Sequence, residues 1–328
     1  MTEIINQIFL TDSQTSHELL GTFVLLFALI AERWLSLPRL YHPTTLLCVI
    51  FSNLQKRVYK KNDSKSYQLL SGTLATILPL FVILALCYGL LEFASYPEFL
   101  SGLILYLCLE SQKLEQSIKR LPLLLRQKQK SAARDLLRIW LRRETKNLSE
   151  PGLIKAAIET LTLRSTRLYF TVLFFYLIGG PITALGYRIL TIMHASWSQQ
   201  YLPNTPFIQP IRNLTYILEW LPVRLVAICI ALSKETKVGI HYIKHYGNHF
   251  YQKNTGWLLS TMSAALKTQL GGPAFYSGTR FAKIRVGKYP VPTLLSIKHT
   301  VSLINRVKVL WLCFIILSKV SIYLAFNL

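Results

Sequence analysis

The sequence predicts an all-α, polytopic integral membrane protein. About six transmembrane helices are joined by basic amphipathic helices on the cytoplasmic side. The 328-residue chain is 52% hydrophobic with mean hydropathy +0.35, yet carries a formal net charge of +22. That pairing fits apolar spans joined by basic loops; a nucleic-acid binder shares the charge but not the long apolar runs. The charge is also unevenly placed. Of 37 Lys and Arg, residues 38–68 hold 6, 113–167 hold 14 and 234–306 hold 11, while 1–17, 93–96 and 193–211 hold none.

Apolar segments run at about 18–36, 69–92, 97–112, 168–192, 212–233 and 307–327. Most reach the roughly 20 residues that cross a bilayer. The third has a short apolar core, Phe99 to Leu109, of re-entrant or interfacial length. Positive charge marks the cytoplasmic side, so the three basic segments share a compartment and an even number of crossings separates them. On that count 97–112 spans, paired with 69–92, and both termini are periplasmic. The start of the chain lacks a basic leader region, and Glu32-Arg33 interrupts the first apolar run, which predicts an uncleaved anchor. Five cysteines lie in apolar stretches without a Cys-x-x-Cys pair, which suggests neither a disulfide framework nor a zinc site.

The whole chain, 1–328, reads as one membrane domain. Its cytoplasmic parts are helical segments at about 38–68, 113–167 and 234–306. Within 113–143, Leu114, Ile118, Leu121 and Leu125 recur at helical spacing, as do Leu136, Leu137, Trp140 and Leu141. Pro122 is expected to kink or divide the pair. The basic opposite face suits either anionic lipid headgroups or the lining of a substrate site. Ser149-Glu150-Pro151 marks a helix start, and Ser296 to Lys308 a basic helix leading into the last crossing.

The residues richest in chemistry are Asn254-Thr-Gly-Trp257 and Leu270-Gly-Gly-Pro-Ala-Phe-Tyr-Ser-Gly278, followed by Arg280, Lys283, Arg285 and Lys288. After Glu235 no Asp or Glu side chain remains. Glycines beside fixed positive charge suit a phosphate or another anion; a helix stop before a basic surface is the plainer alternative. Glu219 and Arg224 lie inside an apolar segment, where an ionisable residue is by default functional. They either face each other across Pro222, share a polar cavity, or form an interfacial pair. His241, His245 and His249 are spaced to share one helical face, as zinc ligands or as a plain polar stripe.

These motifs resemble the C-terminal signature of the CobD/CbiB family, the adenosylcobinamide-phosphate synthases of cobalamin biosynthesis. The quoted run reads Asn-x-Gly-Trp, Leu-Gly-Gly-Pro-x-x-Tyr-x-Gly, then Arg280-x-x-Lys283. Further matches come in order: His42-Pro43; Trp140-Leu-Arg-Arg-Glu-Thr145; Pro151 to Glu159-Thr160; Phe174-Phe175 with Gly179-Gly180 and Tyr187-Arg188; Trp220-Leu-Pro222-Val-Arg224-Leu225. Leu163, Arg164, Arg167 and Leu168 stand where the family has an acid, an asparagine, an aspartate and a glycine, Leu259 where it has a glutamate, and Thr191 to His194 where it reads Asn-Thr-x-Asp.

The resemblance implies ATP-dependent joining of an aminopropanol, or its phosphate, to a carboxylate of adenosylcobyric acid. ATP and Mg²⁺ enter as cofactors and the corrinoid as substrate. It implies Glu159 and Glu144 as catalytic residues. His42, Arg224, Asn254, Trp257, Gly271, Gly272, Pro273, Tyr276, Gly278, Arg280 and Lys283 become substrate or phosphate ligands, with no metal bound by protein ligands alone. The partners implied are the anionic bilayer and these substrates, not nucleic acid, in the cytoplasmic (inner) membrane of a bacterium. The related AmpE inner-membrane proteins, similar at Glu32-Arg33 and at the Trp-x-Pro-x-Arg-Leu segment, imply the alternative of a non-catalytic sensor on the same scaffold.

Overall fold

The computed structural model describes residues 20–327 apart from 36, 39, 40, 142, 147, 201–204, 235 and 277. The N-terminal segment 1–17, which has no Lys or Arg, and Ser277 of the glycine motif lie outside them. The chain is helical throughout except for four strands of two or three residues, and it divides into two compact units. One comprises Met1–Leu109, Val172–Thr215 and Leu312–Leu328; the other comprises Glu110–Thr171 and Tyr216–Trp311. The basic segments 113–167 and 234–306 thus fall together in the second unit.

The first unit contains α1 (20–34), α2 (Pro43–Val58), α3 (Lys65–Glu92), α4 (Pro97–Cys108), most of α8 (Thr171–Gln200) and most of α9 (Gln209–Leu218). His42 caps α2: its Nδ1 accepts from the Thr44 amide at 3.3 Å and lies 2.9 Å from Thr44 Oγ1, while Pro43 fills the first turn. Buried Trp197 of α8 donates to the Phe51 carbonyl at 2.9 Å and accepts from Gln55 Nε2 at 3.3 Å, fixing α2 against α8. Gly179 and Gly180 break α8, Gly180 at φ +70° with Pro181 next, a conformation that favours glycine.

Three helices are long and apolar enough to cross a membrane: Lys65–Glu92, the run Glu150–Ser198 and Leu294–Leu317. The pair Pro206–Leu218 and Trp220–Leu232, bent by 46°, makes up to four. The expected count of six drew on two further segments. As described, α1 and the 12-residue α4 rise only about 22 and 18 Å at 1.5 Å per residue, short of a hydrocarbon core about 30 Å thick.

The second unit begins with α5 (Ser111–Arg126), whose Leu114, Ile118, Leu121 and Leu125 are buried as their spacing predicts. Contrary to expectation, Pro122 does not divide the helix. The break comes at Gln127–Gln129, where Lys128 takes φ +59°, before α6 (Lys130–Arg138). Ser149 caps α7 (Glu150–Ser165), accepting from the Gly152 amide. A π-helical turn, Thr166–Phe170, joins α7 to α8. Then come α10 (Trp220–Leu232), α11 (Thr236–His245) and α12 (Lys253–Leu266). The strands are β1 (Leu270–Gly271), β2 (Ala274–Tyr276), β3 (Thr279–Phe281) and β4 (Arg285–Val286), and α13 (Leu294–Asn327) closes the chain. Strand β1 pairs with β4 and β2 with β3, both antiparallel, so the glycine motif forms a hairpin.

A buried ion cluster joins α5 to α13. Glu115 accepts from Asn305 Nδ2 at 3.0 Å and pairs with Lys119 at 2.7 Å and Lys308 at 3.3 Å. Lys308 also bonds Ser111 Oγ at 3.0 Å and lies 4.8 Å from the Tyr169 ring. Burial alone raises the Glu115 carboxyl, but Lys308, Lys119 and Asn305 outweigh it and hold it below the ordinary carboxylate value.

Candidate functional site

Helix α7 carries Lys155 and Glu159 one turn apart, so both project from the same face. The glycine hairpin lies against that face. Glu159 Oε1 accepts from the Gly271 amide at 2.7 Å, and Glu159 Oε2 lies 3.1 Å from Arg143 Nη2. Both side chains are mostly buried, at 13% and 12% exposure. The next residue holds the far end of the hairpin: the Glu144 amide donates to the Phe275 carbonyl at 3.0 Å, and Glu144 Oε1 accepts from the Gly278 amide at 2.5 Å. Three segments distant in sequence, 143–145, α7 and 270–278, therefore meet around one carboxylate.

The glycines shape this turn; their amides are already used within the protein. Gly271 donates to Glu159, Gly272 to the Ile284 carbonyl at 3.0 Å, and Gly278 to Glu144. Gly271 sits at φ +72°, and a Cβ there would collide with the Ile284 carbonyl. Gly272 sits at φ +97°. A Cβ built on it would lie 3.3 Å from Arg285 Cγ, 3.5 Å from Lys155 Nζ and 3.7 Å from Arg285 Nε, so the two cationic side chains close over the bare backbone there.

Lys155, ahead of the apolar run that begins at Leu168, has its pKa pushed below the ordinary lysine value. Burial is the main cause; Arg285 and Arg143 add to it and Glu159 opposes it. Pro273, Gly278 and Arg280 are exposed on the hairpin. Lys283 Nζ donates to Tyr276 OH at 2.6 Å. Lys155 did not stand out in the sequence, where its i, i+4 spacing to Glu159 was the local signal; Arg285 was noted in the basic run after the glycines and Arg143 in the Trp140–Thr145 match, neither with a role of its own.

A second cluster gathers the other motif residues. The Arg224 guanidinium lies over the Trp220 ring at 4.1 Å and the Trp257 ring at 4.8 Å. Its Nη1 donates to the Trp220 carbonyl at 2.7 Å and to Asn254 Oδ1 at 3.2 Å. Asn254 Nδ2 donates in turn to the Tyr216 carbonyl at 2.9 Å, beside the break between α9 and α10. Gly256 lets α12 approach the Gly247 carbonyl, which a Cβ would strike.

Glu219 does not pair with Arg224. Its partner is Arg167 of the π-helical turn, at 2.9 and 3.0 Å. Five residues along a helix lie about 140° apart, which carries Glu219 and Arg224 to different faces. The histidine stripe is also interrupted. His241 and His245 stack at 5.9 Å, but α11 ends at His245 and His249 sits in a separate 3₁₀ turn. Among the described residues no group of three or more His, Cys, Asp or Glu could hold a metal ion. The donor set round Glu159 does not suit a protein-held Mg²⁺, which prefers carboxylate oxygens: one carboxylate, engaged by Gly271 and Arg143, stands among three cations.

The sequence model of the CobD/Cbib protein family matches residues 25–304. A cobalamin biosynthesis protein CobD of Chromobacterium violaceum is 27% identical over 208 residues, 63% of this chain and 67% of that protein. Proteins of the same name from Stutzerimonas stutzeri (26% over 170 residues, 52% of this chain and 56% of that protein) and Clostridium perfringens (23% over 260 residues, 75% and 81%) are also similar. No solved structure matches. The family match takes in Arg143, Glu159 and the whole glycine hairpin, and by its extent the chain belongs to the CobD/CbiB family.

Proposed function

We propose that this chain acts in cobalamin biosynthesis as an adenosylcobinamide-phosphate synthase-like membrane protein. ATP converts a carboxylate of adenosylcobyric acid into a mixed anhydride; the amine of aminopropanol or its phosphate attacks the acyl carbon. A C–N bond forms, the anhydride C–O bond breaks and the phosphate taken from ATP leaves with the bridging oxygen, and the amine sheds its proton. The observation that carries this reading is the meeting of three family-like segments at Glu159. In it, Glu159 orients the incoming ammonium and takes up its proton, while the surrounding cations hold phosphate. Glu144 orders the hairpin through Gly278. Neither role routes a step through Mg²⁺.

The replaced acids favour a second reading, an AmpE-like binding or sensing protein. Arg167, at a position where the family carries an acid, is committed to Glu219. The discriminating assay incubates purified protein in nanodiscs with adenosylcobyric acid, ATP, Mg²⁺ and aminopropanol phosphate and looks for the amide by mass spectrometry. Product that disappears in Glu159→Ala supports the synthase; no product, beside an active synthase handled in parallel, supports the sensor.

We also place the basic segments 113–167 and 234–306 on the cytoplasmic face of a bacterial inner membrane. That both belong to one compact unit supports a shared side. If α8 crosses once between them, the bent pair α9–α10 makes the return crossing. Reporter fusions near 201–204 should read periplasmic, and a cytoplasmic signal there would refute this topology.

A further inference from the structure

We propose that the cation cluster of Lys155, Arg285 and Arg143 beside Gly272 is a phosphoryl-binding seat that works with cations alone and needs no bridging divalent metal. The inference deepens the synthase reading and rests on it only for which phosphorylated substrate fills the seat. Three observations carry it.

Because Gly272 has no side chain, Lys155 Nζ and Arg285 Nε converge over it, 3.5 and 3.7 Å from the point a Cβ would occupy, with Arg285 Cγ at 3.3 Å. Arg143 is 12% exposed and under-satisfied: Nη2 lies 3.1 Å from Glu159 Oε2 but off the line of a hydrogen bond, and Nε has no acceptor among the described residues. A mostly buried guanidinium with unused N–H groups is a strong acceptor site for an anion. Finally, three cations surround one carboxylate, leaving two positive charges uncompensated. A phosphoryl group, carrying about −1.5 to −2 near neutrality, matches that excess, whereas a single carboxylate leaves half of it unmet.

The seat does not use the two basic residues that the family resemblance made phosphate ligands: Lys283 is held by Tyr276 and Arg280 is exposed at the hairpin tip. Arg285, itself exposed, forms the open side through which a ligand enters. The glycine amides play no part in holding the anion, because each already has an acceptor. The seat is therefore read by side-chain charge and by the fork geometry of arginine.

The test uses the full-length protein in nanodiscs with EDTA present throughout, and isothermal titration with pyrophosphate, aminopropanol phosphate and ATP separately. We expect binding without metal, weakened about tenfold or more by Lys155→Met and by Arg285→Gln. The exposed control Lys298→Gln should stay within about twofold of wild type. Glu159→Gln should bind as tightly as wild type or tighter, since it removes a repelling charge. Weakening confined to aminopropanol phosphate assigns the seat to the amine substrate; weakening confined to ATP assigns it to the nucleotide. Binding abolished by EDTA, binding lost in Glu159→Gln, or affinities unmoved by Lys155→Met and Arg285→Gln would each overturn the proposal. Retained binding without amide product would overturn the synthase reading and leave the seat standing.

Discussion

Replacing Glu115 by Ala tests whether the α5–α13 ion cluster holds together the unit that carries the site. The Glu115 side chain is 2% exposed and Lys308 is 10% exposed. Without the carboxylate, Lys308 keeps Ser111 Oγ and the Tyr169 ring but has no counter-charge in this cluster. Breaking a buried pair from one side costs about 3–5 kcal/mol. Losing the Asn305 bond adds about 1 kcal/mol. Lys119, 49% exposed, adds only about 0.3–0.5 kcal/mol. At roughly 2–4 °C per kcal/mol, the thermal midpoint in detergent should fall by about 10–25 °C.

The double variant Glu115→Leu with Lys308→Met should recover most of that loss, because a well-packed apolar pair often replaces a buried ion pair at little cost. An acid titration adds an independent check. The Glu115 pKa is lowered in the folded state, so its stabilisation is present above the unfolded carboxylate value and is lost as pH falls through the folded one. Wild type should lose midpoint across that acid range more steeply than Glu115→Ala. A single variant no worse than Lys119→Ala, or a double variant as unstable as Glu115→Ala, would refute the reasoning.

Gly271→Ala should place a Cβ against the Ile284 carbonyl at a positive φ, cost about 1–3 kcal/mol locally and pull the Gly271 amide from Glu159; amide synthesis and hairpin protection in hydrogen exchange should fall together. The lowered Lys155 pKa predicts that anion binding weakens with rising pH earlier than an ordinary lysine would allow, and that Lys155→Arg shifts the fall-off to higher pH. Arg167→Asp, which restores an acid where the family has one, should set two carboxylates against each other at the buried Glu219 and lower the thermal midpoint. Adding Glu219→Lys to Arg167→Asp should rescue part of it.

Much of the helical pattern was legible because burial imposes a period. Leu114, Ile118, Leu121 and Leu125 sit at spacings that only a one-sided helix explains, and Ser149-Glu150-Pro151 states its own cap. The failures share a different cause. Pro122 sits in a helix that continues, its apolar ring buried on the packed face, and packing outweighed the broken backbone bond. Glu219 found Arg167, 52 residues away, instead of the local Arg224. Arg143 joins Glu159 by the same kind of long-range placement. Partners that meet only through the fold leave no spacing to read. The glycine hairpin was conspicuous in sequence, but which amides remained free for a ligand depended on Ile284, Glu144 and Glu159, which sequence could not place.

The lost acids and the retained cations are consistent with one another. Arg167 neutralises buried Glu219, and Arg164 lies over the Trp140 ring at 5.6 Å. Both replacements serve packing at the end of α7, where that helix enters the apolar run. Ionisable chemistry on this helix is then left to Lys155 and Glu159, one turn apart and facing the hairpin. A carboxylate site built to hold Mg²⁺ would need more than one free acid there; a site built to hold phosphate needs the cations it has. Losing acids therefore does not by itself argue for lost activity. What decides between synthase and sensor is whether Glu159, with its two existing partners, can still serve an amine. Glu159→Gln separates those possibilities: it keeps the cations of the anion seat while removing the carboxylate proposed to take up the amine's proton.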